Sequence, residues 1–391
     1  MEGEGASARS GYPSSPSSAA PHPNPNPFRE AEKKYQLHYD QVMAFSKGKL
    51  RGKGEFRERP TDLSEVLDFR SAEPPPGAAA LETEAVPSAA AARGLYTLDG
   101  HPGFYFVSGL LDESAVEDLA GEILSEHIEP PATSNFTREH GTRIRGLWGA
   151  ARRGLFYRPG AGGGAGGELP AGGQGCWSAA DHPAASQTPA QVLLDRLRWV
   201  SLGPQYDWTR RVYRDDVPCR GLPRRLKELA DALVRDLRGA SGRVQASGGY
   251  SADAALLNFY GSKDTLGGHK DDAELDLSQP LVSVSLGCDA VFLLGGTTKG
   301  VRPTAMLVRS GDVVVLSGRS RSCFHGVPRI FSKTPRRGGV AGGGKRSPSP
   351  SPSLRGYLDE HRINVSVRMV GRGAAGGGGG GEEDGGAGVG A

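Results

Sequence analysis

The sequence predicts an α+β protein: a double-stranded β-helix (jelly roll, cupin-like) with N-terminal helices packed on the sheet. Three observations predict it. From residue 255 onward, short apolar stretches follow one another at 255–260, 281–287, 290–294, 304–308, 312–317, 322–326 and 362–370, with glycine turns between them. That is the spacing of short strands in a sandwich or barrel. Upstream, apolar residues recur at helical intervals instead. Lastly, many of the 59 glycines cluster where no core can form, at Gly160–Gly175, Gly338–Gly344 and Gly371–Gly388. The glycine share is about twice the usual ~7%. The 391 residues therefore hold little more than one domain of foldable sequence.

Taken in order, residues 1–27 are rich in Ser, Pro, Asn and Ala and are expected to be a disordered tail. Residues 28–94 read as a helical and linker extension. Within it, Arg29–Lys47 is a polar helix, a basic stretch runs to Arg59, Asp62–Phe69 is a short docking segment, and 73–93 is an Ala/Pro linker. Residues 95–254 are mainly helical, with a Gly-rich insertion at 160–175. Phe104–Val107 reads as a strand. Asp112 can cap a helix reaching about His127, with Val116, Leu119, Ile123 and Leu124 on one face. Thr188-Pro189 opens another helix, and Gly221–Arg238 carries a stripe of Leu222, Leu226, Leu229, Leu233 and Leu237. The jelly roll occupies 255–370, with a disordered insertion at 333–353, and 371–391 form a disordered tail. Gly339–Lys345 imitates a phosphate loop, but Arg346 stands where Ser or Thr should be and no helix follows.

The net charge of +3 and pI near 8.6 are too mild to mark a nucleic-acid-binding protein. A local pattern says more. Arg138, Arg143, Arg145, Arg152, Arg153 and Arg158 surround Trp148, Phe156 and Tyr157, and basic groups track phosphates while aromatics stack on bases. The segment reads equally well as a solvated, partly helical loop. Cys176, Cys219, Cys288 and Cys323 show no C-x-x-C spacing, which fits a reducing compartment and speaks against structural zinc. No apolar run approaches the ~18 residues of a membrane span. The start Met1-Glu2-Gly3-Glu4 lacks an apolar signal core. Nucleus or cytosol is the expected location, with mitochondrial or plastid sorting left open.

The chemistry is concentrated in 258–368. His269 and Asp271 follow Gly267-Gly268 near a strand end, where positions two apart share a face. The other His-x-Asp pair, His38 and Asp40, falls in the expected helix, where such positions diverge. His325 lies in Ser322–Gly326. Two histidines and a carboxylate on one face of an ion leave its other positions open, as in non-haem iron oxygenases. Singly, each residue has a plainer reading: a loop histidine, a capping aspartate, a core histidine. On the strand Arg362–Arg368, the residues Arg362, Asn364, Ser366 and Arg368 share a face. Two inward arginines cost desolvation unless an anion lies between them, although an outward arginine-rich face is the plainer alternative. Asn258 and Tyr260 repeat the alternation and can add neutral hydrogen bonds.

These strings together resemble the AlkB family of iron(II)/2-oxoglutarate dioxygenases, nearest to its eukaryotic homologue 1 subfamily. The resemblance is carried by Leu256–Tyr260, Thr265–Asp271, Leu281–Gly287, Phe292–Gly296, Pro303–Met306, Ser310–Asp312 and Arg362–Met369. It extends upstream through Leu197–Val200 with Tyr206–Trp208, and more loosely to Pro102–Tyr105. It implies iron(II) on His269, Asp271 and His325. It also implies 2-oxoglutarate held by Arg362 at its far carboxylate and Arg368 at the near one, with Asn258, Tyr260 and Asn364 as further contacts. It makes 95–254 a nucleotide-recognition region, with Trp208 and Tyr213 as base stackers and Glu274 as a substrate contact. One departure concerns Ala273, which stands where the bacterial member has an acid touching the base. The implied activity is oxidative demethylation of N-methylated bases, in tRNA (N1-methyladenosine) or in single-stranded or unpaired DNA (N6-methyladenine). The rivals are a protein or small-molecule hydroxylase, a non-catalytic cupin-like binding module, and a zinc lyase or isomerase, which would not need both arginines.

Overall fold

A computed structural model describes residues 26–42, 45–46, 49–50, 55–140, 143–158, 176–179, 187–207, 212–214, 218–241, 244, 249–333 and 352–371. The tails, the Gly-rich insertion, most of the 333–353 insertion and Trp208 lie outside the described residues.

Two sheets organise the chain. The larger has nine strands in the order Ala78–Leu81, Gly94–Leu98, Phe104–Ser108, Val313–Leu316, Leu281–Gly287, His361–Arg368, Ala254–Gly261, Trp199–Leu202 and Thr133–Ser134. The smaller has five: Leu266–His269, His325–Phe331, Asp289–Leu294, Thr304–Val308 and Val66–Asp68, the last of these parallel to its neighbour. One face of the large sheet is strictly apolar. Val282, Val284, Leu286, Ile363, Val365 and Val367 pack there against Val116 and Leu119 of the helix Glu113–Glu122 and Leu226, Leu233 and Leu237 of the helix Arg224–Ser241. The opposite face meets the small sheet. Phe104, Phe106, Leu281, Val314 and Leu316 form one apolar cluster with Leu294, Met306 and Val308. The chain crosses between sheets at Gly287, whose φ of +86° and approach to the His361 carbonyl (2.2 Å from a built Cβ) leave no room for a side chain.

The alternation seen in the sequence is realised closely. Strands 281–287 and 304–308 match the expected bounds, and the others lie within two residues of them, except at 322–326. There a tight helical turn Gly318–Ser322 precedes the strand His325–Phe331. Asp112 caps its helix by accepting from the Ala115 N–H at 2.8 Å, and a wider π-helical turn, Ile123–His127, completes it.

The N-terminal extension differs from expectation. Its helix is Pro27–Tyr35, set by an Asn26 cap and Pro27 in the first turn, and it ends at Gln36. Tyr39–Val42 is a strand paired antiparallel with Glu55–Glu58. Pairing with a distant segment overrides the local helical tendency that suggested Arg29–Lys47. Asp40 accordingly bonds Arg59, and His38 bonds the Lys33 carbonyl. Nor is 73–93 a plain linker: Ala78–Leu81 extends the large sheet, and Val86 and Ala89 are buried. Between the strands His325–Phe331 and His361–Arg368 an unanticipated helix, Leu354–Glu360, is capped by Ser353. Among the described residues no helix is long and apolar enough to cross a membrane.

Candidate active site

Strand pairing brings the two histidines face to face. Leu266–His269 runs against His325–Phe331 so that His269 is the register partner of His325, with ring centroids 4.4 Å apart. The Asp271 carboxylate lies 4.0 Å from His269 Nε2 and 3.5 Å from His325 Nε2. One ligand-capable atom from each residue falls within 4.8 Å of the others. Each Nδ1 is occupied by a main-chain carbonyl: Gly267 for His269 at 3.0 Å, Cys323 for His325 at 3.2 Å. A carbonyl can only accept, so each Nδ1 carries the proton and each Nε2 lone pair is free toward the carboxylate.

Electrostatics favour the same forms. Burial, then the neighbouring His325, lowers the His269 pKa and keeps the ring neutral. Burial pushes the Asp271 carboxyl up, but the neighbouring Arg368 guanidinium holds it well below the usual carboxylate range. A neutral imidazole, as at His269, and an ionised carboxylate, as at Asp271, are states that ligate a metal. Two histidines and a carboxylate on one side, open on the other, are the donor set that non-haem iron(II) uses.

The His361–Arg368 strand supplies the rest. It pairs with Ala254–Gly261 so that Arg362 faces Tyr260 and Asn364 faces Asn258, all on the face turned from the helices. Arg362 is buried. It donates to Ser285 Oγ at 2.8 Å, Asn364 Oδ1 at 3.3 Å and the Cys288 carbonyl at 3.4 Å. Asn364 also accepts from Ser283 Oγ at 3.0 Å and donates to Ser366 Oγ at 3.1 Å. Tyr260 Oη, Arg362 Nε and Arg368 Nε are buried without hydrogen-bond partners. Burying such groups unsatisfied is costly. A dicarboxylate reaching from the metal toward Arg362 would satisfy them, so the donor set fits iron(II) with 2-oxoglutarate.

Arg368 lies beside the metal-type cluster, 3.6 Å from Asp271 and 2.6 Å from Glu274. Glu274, expected at the substrate, is instead buried between Arg368 and Arg321, the latter 2.7 Å away. Burial pushes its carboxyl up, but the two guanidiniums hold it below the usual range. Arg321 also donates to the Asp271 carbonyl, tying the ligand loop to the helical turn before His325. Tyr213, on a two-stranded ribbon of Gln205–Asp207 and Val212–Arg214, reaches this corner. Burial raises its phenol to about 12, against the opposing pull of Arg368, which also bonds it. In the Arg-rich segment, Trp148 and Tyr157 are buried core residues rather than stackers, while Arg143, Arg145, Arg152, Arg153 and Arg158 are exposed.

Sequence reasoning missed Ser283, Ser285 and Arg321. The Val-Ser-Val-Ser alternation at 282–285 could have exposed the two serines. Nothing local marks Arg321.

Residues 171–368 match the 2OG-Fe(II) oxygenase superfamily. The chain is 33% identical over 365 residues to the DNA N(6)-methyladenine demethylase ALKBH1A of Arabidopsis thaliana, covering 88% of this chain and 95% of that one. It is 35% identical over 183 residues to the tRNA demethylase abh1 of Schizosaccharomyces pombe (47% and 56%). It is 30% identical over 240 residues to the nucleic acid dioxygenase ALKBH1 of Homo sapiens (60% and 52%). The chain belongs to the 2OG-Fe(II) oxygenase superfamily and, within it, to the AlkB family, in the homologue 1 group. Its cofactor is iron(II) and its co-substrate 2-oxoglutarate.

Proposed function

We propose that this dioxygenase demethylates N-methylated bases in nucleic acid. His269, Asp271 and His325 would hold iron(II), and Arg362 would receive the far end of 2-oxoglutarate beside it. The carrying observation is the convergence of three ligand atoms within 4.8 Å beside a strand that buries Arg362 and Arg368 on the same face. The two-sheet architecture with the site between the sheets supports reading the fold as a double-stranded β-helix.

Iron(II) held there would supply the dioxygen chemistry, in which one oxygen atom converts 2-oxoglutarate to succinate and carbon dioxide and the other reaches the N-methyl carbon. The resulting hydroxymethyl group leaves as formaldehyde; its hydroxyl proton passes to the nitrogen of an N6-adduct and to solvent from a cationic N1-adduct. The chain's own residues do the positioning. Arg362, Tyr260 and Ser285 receive the far carboxylate. Arg368 and Asn258 lie toward the near one, with Asn364 fixed between by Ser283 and Ser366. Inside a duplex the methyl group is out of reach, so the base must be flipped or already unpaired. The ribbon carrying Tyr213, with Trp208 in its connection, is our candidate for covering it, and 95–254 our candidate nucleotide-recognition region.

The relatives' names support both tRNA and DNA as substrates, and we propose transfer RNA and unpaired DNA together. With its cysteines reduced, the protein is proposed to work in the nucleus or cytosol. The test is succinate and formaldehyde release against a panel of methylated RNA and DNA oligonucleotides. Stoichiometric formaldehyde is expected with at least one of them, and His269→Ala should abolish it. Succinate formed with a hydroxylated peptide, and no formaldehyde with any oligonucleotide, would replace this reading with a protein hydroxylase.

A further inference from the structure

We propose that the N-terminal helix Pro27–Tyr35 is part of the metal site, with Glu32 and Phe28 as positioning residues for the two histidine-bearing segments. The helix lies outside residues 171–368 that match the superfamily, and the proposal rests on the ligand assignment above.

Glu32 is only 5% exposed. Its Oε1 accepts the backbone N–H of Gly268 at 2.5 Å, across 236 residues of sequence. Its Oε2 accepts from Arg29 at 2.8 Å, so the carboxylate is held from both sides. The Gly268 N–H belongs to the same peptide plane as the Gly267 carbonyl, and that carbonyl accepts the His269 Nδ1 proton at 3.0 Å. The arrangement is a relay: carboxylate, peptide, imidazole. A carboxylate on the N–H polarises the peptide and makes its carbonyl a stronger acceptor. A stronger acceptor on Nδ1 fixes the ring and raises the basicity of Nε2. The relay does for His269 what a carboxylate bonded directly to a metal-binding histidine does, with one peptide interposed.

Phe28 supplies the matching steric part. It is fully buried, packed with Val291, Leu293 and Phe324 on the outer side of the small sheet. A Cβ on Gly268 would come within 2.4 Å of its ring, and one on Gly295 within 2.9 Å. Gly268 precedes His269. The Gly295 N–H donates to the carbonyl of Phe324, the residue before His325, at 2.8 Å. One ring therefore backs both histidine segments, which is why glycine stands at 268 and 295.

The test uses the metal-free full chain titrated with Co(II), followed by calorimetry and by the visible absorption that reports ligand geometry. Glu32→Ala is expected to weaken Co(II) about 10-fold, the low end for outer partners of a ligand, and to shift the absorption. Glu32→Gln, which keeps an accepting oxygen, should stay within about threefold of wild type. Phe28→Leu should weaken Co(II) about threefold, since a leucine fills the space over the glycines incompletely. Urea midpoints of the metal-free chains are read alongside. Wild-type Co(II) affinity in Glu32→Ala and Phe28→Leu overturns the proposal, whatever the midpoints do, and so does equal weakening by Glu32→Ala and Glu32→Gln. If Glu32→Ala fails to fold, Phe28→Leu decides: weakened Co(II) supports the brace and unchanged Co(II) overturns it. His269→Ala is the separate control. If it still binds Co(II) like wild type, the ligand set is wrong, rather than the brace alone.

Discussion

The two ends of the His361–Arg368 strand carry the same side chain on the same face, yet their surroundings are opposite. Arg368 is charge-balanced by the protein itself, 2.6 Å from Glu274 and 3.6 Å from Asp271, and those carboxylates outweigh burial and raise its pKa. Arg362 is buried among neutral partners, Ser285, Asn364 and the Cys288 carbonyl. Among the described residues no carboxylate lies within ion-pair distance of it, and burial lowers its pKa. An unpaired buried cation costs several kcal/mol. The difference teaches that the strand's arginines are not equivalent. Arg368 is held in place by the protein's own carboxylates, while Arg362 carries an uncompensated charge, which is what the proposed co-substrate carboxylate would match.

The contrast can be broken most decisively through stability. Arg368→Met strands two carboxylates and should destabilise the metal-free chain by about 3–5 kcal/mol, the usual cost of breaking a buried pair. Arg362→Met should leave metal-free stability unchanged or raise it by about 1 kcal/mol, because it removes a charge with no partner. Urea unfolding of both variants checks the opposite signs, and equal losses would erase the distinction. In turnover, Arg362→Met should raise the KM for 2-oxoglutarate about 30- to 100-fold, corresponding to about 2–3 kcal/mol of lost charge-assisted bonding. The pH dependence sharpens the other end. Glu274 has a folded pKa below its unfolded value of about 4.3. Its stabilising contribution is complete above that pH and is lost as pH falls through the folded pKa. The urea midpoint of wild type should therefore drop below about pH 4, and Glu274→Gln should flatten the drop without abolishing it, since Asp271 contributes with the same sign. The smallest expected effect is that of Ser285→Ala. Losing one hydrogen bond to Arg362 should raise the KM for 2-oxoglutarate about fivefold, for about 1 kcal/mol. An unchanged value would detach Ser285 from the site.

Much of this was legible in the chain because the information is local. Alternation along Leu281–Gly287 and His361–Arg368 assigns each side chain to a face, and His269 and Asp271 stand two apart after a glycine pair. The residues read as meeting the metal and the anion do lie together. Glu274 was misread because a carboxylate three positions after Asp271 can face a substrate or a guanidinium. Only Arg321, brought in 47 positions away, decides which. Trp148 and Tyr157 looked like stackers because adjacent arginines suggest a surface. The helix Leu147–Arg152 and the strand Phe156–Arg158 turn the rings inward and leave the arginines outside. The strand at Tyr39–Val42 needed its partner at Glu55–Glu58, which no local propensity names.

By itself the sequence determined the strand periodicity and the ordered set His269, Asp271, His325, Arg362 and Arg368 that carries the family resemblance, because residue type and a period of two are properties of short segments. Only the tertiary structure decided that His269 stands opposite His325, that Arg368 is neutralised and Arg362 is not, and that Glu32 bonds the peptide behind the metal-bearing loop. Those depend on which distant backbones pair and which charges are buried together, and free energies of pairing and desolvation are set by neighbours in space rather than along the chain.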